Sequence, residues 1–219
     1  MMPRLSQSAS SRMLWVALVA VIVSGCDLFT SAADHLERAR GFIAEHDYRS
    51  AVVELKNVLR EEPENPSARL LLAESALWLG DPVSAEAELK RVGPGTNDTA
   101  RAELQARLDL AMGRPQAVLD TLQESGGLLP EEKVALYRGL AQLALGDVKT
   151  AELSFRRAVE RDPGIILAKT GISEALAAQG FGDQALAASA EVVAQHQESA
   201  WAWYSRGILL ARAGELEMA

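Results

Sequence analysis

The chain contains a single cysteine, Cys26, so no disulfide can close within it and its stability has to come from packing. Aromatic residues make up only 5%, and no segment sustains the apolar-polar alternation of a half-buried strand. Basic residues are the minority, 22 Lys and Arg against 30 Asp and Glu, for a net charge of −8. Nucleic acid is thereby an unsuitable partner, because binding it relies on a basic footprint; a basic stripe and a glycine-rich phosphate loop are both missing. The three histidines, His35, His46 and His196, lack any metal-ligand spacing, and no second soft ligand exists to join them. Acid pairs such as Glu61-Glu62 and Glu131-Glu132 fall at predicted helix ends. There they read as solvated charges, not as a catalytic dyad, which needs enclosure to shift a pKa. No catalytic residue, metal, cofactor or small-molecule substrate is therefore expected. The unbroken apolar run Met13 to Val23 is also too short for a comfortable membrane span, which takes roughly 20 residues.

What is present begins with the surroundings of that run. Arg4 and Arg12 precede it and the small residues Ser24 and Gly25 follow it. Basic segment, apolar segment and small-residue cleavage site form a secretory signal over residues 1–25. Val23-Ser24-Gly25-Cys26 resembles the bacterial lipobox. The resemblance implies that Cys26 becomes the first mature residue and carries lipid on its thiol, the one side chain nucleophilic enough for that alkylation. Two or more acyl chains anchor stably where one does not. Residues 26–32 then form the lipidated cysteine and a short tether. Asp27 resembles the signal that keeps lipoproteins in the inner membrane, which places the mature chain on the periplasmic side of the envelope. Asn97-Asp98-Thr99 fits a glycosylation triplet but means little in such a protein.

Behind the tether the sequence repeats itself. His46, Gly80, Gly113, Gly146, Gly180 and Gly214 stand at turn positions spaced by 33 or 34 residues. Each is followed by a small residue and a helical pattern, as in HDYRSAVVELKNVL, GDPVSAEAELKRV and GDVKTAELSFRRAV. That period, sustained over residues 33–219, resembles the tetratricopeptide repeat. The resemblance implies an all-α solenoid of about five and a half units, each an antiparallel pair of helices A and B in a right-handed superhelix. Small residues belong where A and B cross. One set is Ala39, Ala73, Ala106, Gly139, Ser173 and Gly207; the other is Ala51, Ala85, Val118, Ala151, Ala185 and Ala219. Pro63 and Pro163 occupy the family's stop position after helix B, whereas Gly93-Pro94-Gly95 and Ser125-Gly126-Gly127 depart from it. The family's early helix A aromatic survives only as Trp203. The sixth unit stops in mid-repeat, so the chain is expected to be the front part of a longer protein.

Stacked repeats expose an extended concave surface, the usual place for a partner. In the family helix A lines it. Carried over residue by residue, one row is Leu36, Leu70, Glu103, Leu136, Thr170 and Tyr204. The next is Arg40, Glu74, Arg107, Leu140, Glu174 and Ile208, with Trp78 and Arg212 beside it. An apolar groove with alternating charges suits a peptide or partner helix, and partly exposed aromatics such as Trp78 and Tyr204 are the expected anchors. The leucines have a competing role, packing against the adjacent repeat. No Lys/Asn set for clamping a terminal carboxylate falls on these rows.

The stretch AVVELKNVLREEPENPSARLLLAE behind a lipoprotein signal resembles the start of large repeat lipoproteins of exosortase (PEP-CTERM) sorting and exopolysaccharide loci. The function expected is that of a membrane-anchored scaffold for protein-protein interaction in one of those systems. The alternatives are an assembly lipoprotein for a pilus or for outer-membrane proteins, and the repeat part of a longer enzyme.

Overall fold

Ser31 opens the first helix of the computed structural model. Its hydroxyl accepts from the Asp34 N–H at 3.2 Å while the Asp34 carboxylate accepts from the Ser31 N–H at 3.0 Å, a reciprocal capping box. Helix and cap thus take Ser31 and Ala32 from the expected tether. The structure describes residues 31–93, 95 and 98–214. The signal, the lipobox with Cys26 and Asp27, Asn97, and the helix expected to run to Ala219 lie outside them.

Among the described residues there are eleven helices and no strand. The A helices are α1 (Ala32–Ala44), α3 (Pro66–Trp78), α5 (Asp98–Ala111), α7 (Glu131–Ala144), α9 (Ile166–Ala178) and α11 (Ala200–Ala213). The B helices are α2 (Tyr48–Glu61), α4 (Pro82–Leu89), α6 (Pro115–Glu124), α8 (Val148–Arg161) and α10 (Gly182–Gln195). No helix among these residues is long and apolar enough to cross a membrane.

Every A-to-B turn is made the same way. Helix A ends in one left-handed residue, with φ of 60° at His46, 77° at Gly80, 66° at Gly113, 82° at Gly146 and 89° at Gly180. The next N–H reaches back into the last turn to close the helix, as from Asp47 to the Phe42 carbonyl at 2.8 Å and from Asp81 to Ala76 at 2.9 Å. That same residue caps helix B. Asp47, Asp81 and Asp147 accept from the N–H of Ser50, Ser84 and Thr150, satisfying a donor the helix leaves open. Glycine takes the left-handed conformation freely; His46 takes it at a cost of roughly 1 kcal/mol.

The crossing positions explain why small residues are needed. Ala39, Ala73, Ala106, Ser173, Ala51, Ala85, Val118 and Ala151 have no exposed surface, and Ala185 has 1%. Each of the first four junctions is then filled by one helix B side chain wedged between two A helices. Leu55 lies in one apolar cluster with Ala39 and Leu71, Leu89 with Ala73 and Leu104, and Leu122 with Ala106 and Tyr137. At the fourth junction the wedge is Phe155, and both neighbours are glycines. A Cβ on Gly139 or on Gly171 would stand 2.7 Å from the Phe155 ring, closer than atoms pack.

The early helix A position, where the family keeps an aromatic, carries a basic side chain in the first two units. Arg69 is 1% exposed and donates to Glu88 at 2.7 Å and to the Pro63 carbonyl. His35 occupies the same place one repeat earlier and meets Glu54 at 2.5 Å. An acid 19 residues after a basic side chain is the sequence trace of both pairs. The buried Arg69 guanidinium is tolerated because Glu88, at the edge of the same junction, pairs with it.

Candidate functional site: the face of the A helices

Successive A helices touch one another directly, α3 with α5, α5 with α7, α7 with α9 and α9 with α11, whereas no comparable contact joins successive B helices. The A rank is thus the inner, shorter side of the curve and its free face the concave one.

The leucines expected on that face are largely spent on packing. Leu70 and Leu136, both 8% exposed, belong to apolar clusters between repeats. Leu36 packs half-buried against the first cluster, and Leu140 bridges two of them. Thr170 is 2% exposed. These residues form the floor of the face, and the surface offered to a partner comes from the aromatic and charged members of the two rows.

Those members form a ladder. Trp78, at the end of α3, is 56% exposed yet fixed by its neighbours. The Tyr48 ring stacks on it at 5.5 Å and 10°, and the Arg107 guanidinium lies 4.9 Å from its ring centre. Arg107 in turn donates to Glu74 at 3.4 Å. One repeat on, Glu103 accepts from Lys133 at 2.6 Å and from the Tyr137 hydroxyl at 3.1 Å. Burial, then the Glu103 charge, pushes the Tyr137 phenol well above its ordinary range. Leu70, Leu71, Glu74, Glu103, Arg107 and Lys133 line a cleft of ≈ 400 Å³ between α3, α5 and α7. At the start of the stack Arg40 pairs with Glu37 at 3.5 Å.

At the other end, Tyr204 is 60% exposed and its ring sits 5.5 Å from that of Trp201. Trp201 is held by its indole N–H, which donates to the Thr170 hydroxyl at 3.0 Å. Glu174 accepts from the Ser205 hydroxyl at 3.5 Å. Ile208 is half-buried and Arg212 exposed. Trp203, at the family's aromatic position, stays 54% exposed with its indole N–H on the Gln197 carbonyl at 2.8 Å.

Three contributors were invisible to a reading of helix A rows alone: Tyr48, which belongs to helix B, and Lys133 and Trp201, which lie a turn before the first row. Their signal is the separation of the partners. Side chains that meet across repeats on this face stand 29 to 34 residues apart, as in Trp78 with Arg107 and Glu103 with Tyr137. Among the described residues no cluster of His, Cys, Asp and Glu could hold a metal ion.

Two tetratricopeptide repeat family models match, over residues 42–108 and 171–219, together more than half of the chain. The chain belongs to the tetratricopeptide repeat family, a class of helical scaffolds that bind other proteins, and neither match is to a catalytic family. Its fold is similar to that of a thermophilic repeat protein of Thermus thermophilus, with 21% identity, a TM-score of 0.69, and coverage of 83% of this chain and 100% of that one. It is similar also to PilW, a type IV pilus biogenesis factor, with 16% identity, a TM-score of 0.68, and coverage of 85% and 87%. A third similar structure is YrrB, a repeat protein with an unusual peptide-binding site, at 14% identity, a TM-score of 0.56, and coverage of 80% and 92%. No curated protein matches the chain.

Proposed function

We propose that this protein is a lipid-anchored scaffold of the bacterial envelope that holds a protein or peptide segment against its A helices. Its setting is exopolysaccharide production or exosortase-linked protein sorting. The observation that carries the binding role is Trp78, exposed but immobilised between Tyr48 and Arg107. An aromatic already ordered before contact loses little entropy on binding, and this residue type supplies the strongest anchors at interfaces. The anchor to the membrane rests on the order of basic segment, apolar run and Val23-Ser24-Gly25-Cys26. Asp27 favours the inner membrane, periplasmic face. Partner capture in a pull-down tests the binding role: Trp78→Ala and Tyr204→Ala reduce it, whereas Arg157→Ala on helix B does not. Equal losses, or no loss at the two aromatics, would remove the reading. Cys26→Ser abolishes acyl labelling and membrane fractionation, and retention of both would remove the anchor.

A second reading is an assembly lipoprotein for a pilus or for outer-membrane proteins. The likeness to the pilus biogenesis factor over 85% of the chain favours it. Co-purification decides between the two, with pilus or outer-membrane assembly components on one side and sorting or polysaccharide components on the other.

A further inference from the structure

Three glutamates stand on the two concave rows of the A helices, Glu74, Glu103 and Glu174, and they are not equally partnered. Glu74 has Arg107 at 3.4 Å and Glu103 has Lys133 at 2.6 Å. Glu174 has no cation within ion-pair distance among the described residues, and its hydrogen bond from Ser205 is a long one at 3.5 Å. Burial pushes its carboxyl above the ordinary range, against a smaller opposing pull from Arg212. A carboxylate partly removed from water and left without a cation is costly to keep, and a ligand's cation would relieve that cost.

The surroundings of Glu174 are the second observation. Thr170 sits one turn earlier on α9 and accepts the Trp201 indole N–H at 3.0 Å. Tyr204 and Ser205 follow on α11, so the two contacts set the Trp201 and Tyr204 rings at the same α9–α11 seam as the carboxylate. Both rings keep open surface, 45% and 60%. Aromatic faces attract cations, and Trp is the strongest of them. An anionic ligand would meet an unrelieved negative charge here.

We propose that the α9–α11 seam is a receptor for one lysine or arginine side chain of a bound peptide. Glu174 accepts the donors of that side chain, and Trp201 and Tyr204 flank its charge. The inference rests on the concave face being the binding surface and adds what the bound segment must carry. At Glu74 and Glu103 the face already neutralises itself and asks for apolar contact; at Glu174 it asks for a cation.

The test uses the full mature chain and two blocked pentapeptides, one with a lysine between two leucines and one with that lysine acetylated. The indole N–H resonance of Trp201 is followed by NMR. The lysine peptide moves it saturably and the acetylated peptide does not. Glu174→Gln weakens the lysine peptide by at least roughly ten-fold, the loss of one charge-assisted contact. Arg212→Ala tightens it by removing a competing positive charge. Equal responses to the two peptides overturn the proposal, as does binding indifferent to Glu174→Gln. The peptide pair on the unaltered protein and the opposite sign at Arg212 keep the test decisive if Glu174→Gln folds poorly. Absent lysine discrimination with partner capture still lost in Trp78→Ala sinks the receptor alone. Intact discrimination with capture indifferent to Trp78 and Tyr204 sinks the wider groove reading instead.

Discussion

Phe155, with no exposed surface, fills the junction of α7, α8 and α9, and the residues that make room for it, Gly139 and Gly171, have no side chain. One repeat further on, the same three positions hold Ser173, Ser189 and Ser205, at 0%, 2% and 1% exposure. There the volume is taken up differently: Arg206 reaches in and donates to the Leu186 carbonyl at 2.9 Å and to the Ser189 hydroxyl at 3.1 Å. The apolar cluster beside it is reduced to Val192, Val193 and Ala202 with Ile166 packed on it. One backbone thus tolerates two fillings as long as the summed volume fits, but their energies differ. Burying a phenyl ring stabilises by about 25 cal/mol per Å² of apolar surface, whereas each hydrogen bond nets only about 1 kcal/mol against water. The stack is therefore tighter at its fourth junction than at its fifth, and local opening should begin at α10 and α11.

The sharpest way to break this contrast is Phe155→Ala, which leaves two glycines facing a void and should cost about 3–5 kcal/mol in chemical denaturation. Gly171→Ala attacks the same contact from the other side and should cost about 1–3 kcal/mol through overpacking. If either proves neutral, the wedge has a freedom that its packing denies. Ser189→Ala removes an acceptor of Arg206 at the polar junction and should cost about 1 kcal/mol, with faster amide exchange in α10 and α11 and none of that acceleration in α8. His46→Gly relieves the one non-glycine left-handed turn and should stabilise by roughly 0.5–1 kcal/mol, the smallest of these changes.

Acid should reorder the comparison. Hydrogen bonds from the side chain and then the backbone of Ser50 hold the Asp47 carboxyl below its ordinary range, and those from Ser84 do the same for Asp81. A carboxyl depressed in the folded state contributes stability above its unfolded pKa of about 3.9, and loses it as pH falls through the folded value. The equivalent caps at Arg114 and Phe181 offer no carboxylate. Below about pH 4 the first two repeats should lose relative protection in amide exchange while the turn before α10 keeps its own.

How much of this was legible in the sequence follows the length scale of the interaction. The turn residues, the crossing alanines and the 33 to 34 residue phase were readable, because each is a local demand repeated along the chain. Even His46 declared itself by phase, and its positive φ follows from its place in the repeat. The pairing of glycines with Phe155 was not readable, since it joins three helices and depends on volume, which no single position announces. The concave rows could be laid out on helix A, but not which of their residues pack and which stay open. Leu70 and Leu136 share the pattern of surface-facing positions, and only the stack shows them covered. Tyr48 was missed because it comes from the other helix of the preceding unit, and Arg69 because a charge at an aromatic position has no apolar signature.

The tight joint between helices A and B also decides where this molecule can change length. Three residues separate the two helices in all five A-to-B turns, and each of the three is committed: one ends helix A, one takes the left-handed conformation and one caps helix B. The opposite edge has no such rule. Its connections run to four residues after α2, α8 and α10 and six after α6, and α4 has 8 residues where α2 has 14. Insertions, tags and protease sites should therefore be accepted along one rim, around Ser125 to Pro130 for instance, and rejected along the other. The solenoid has a stiff spine and an editable margin, so new sequence can be added beside the face of the A helices without disturbing the spacing that forms it.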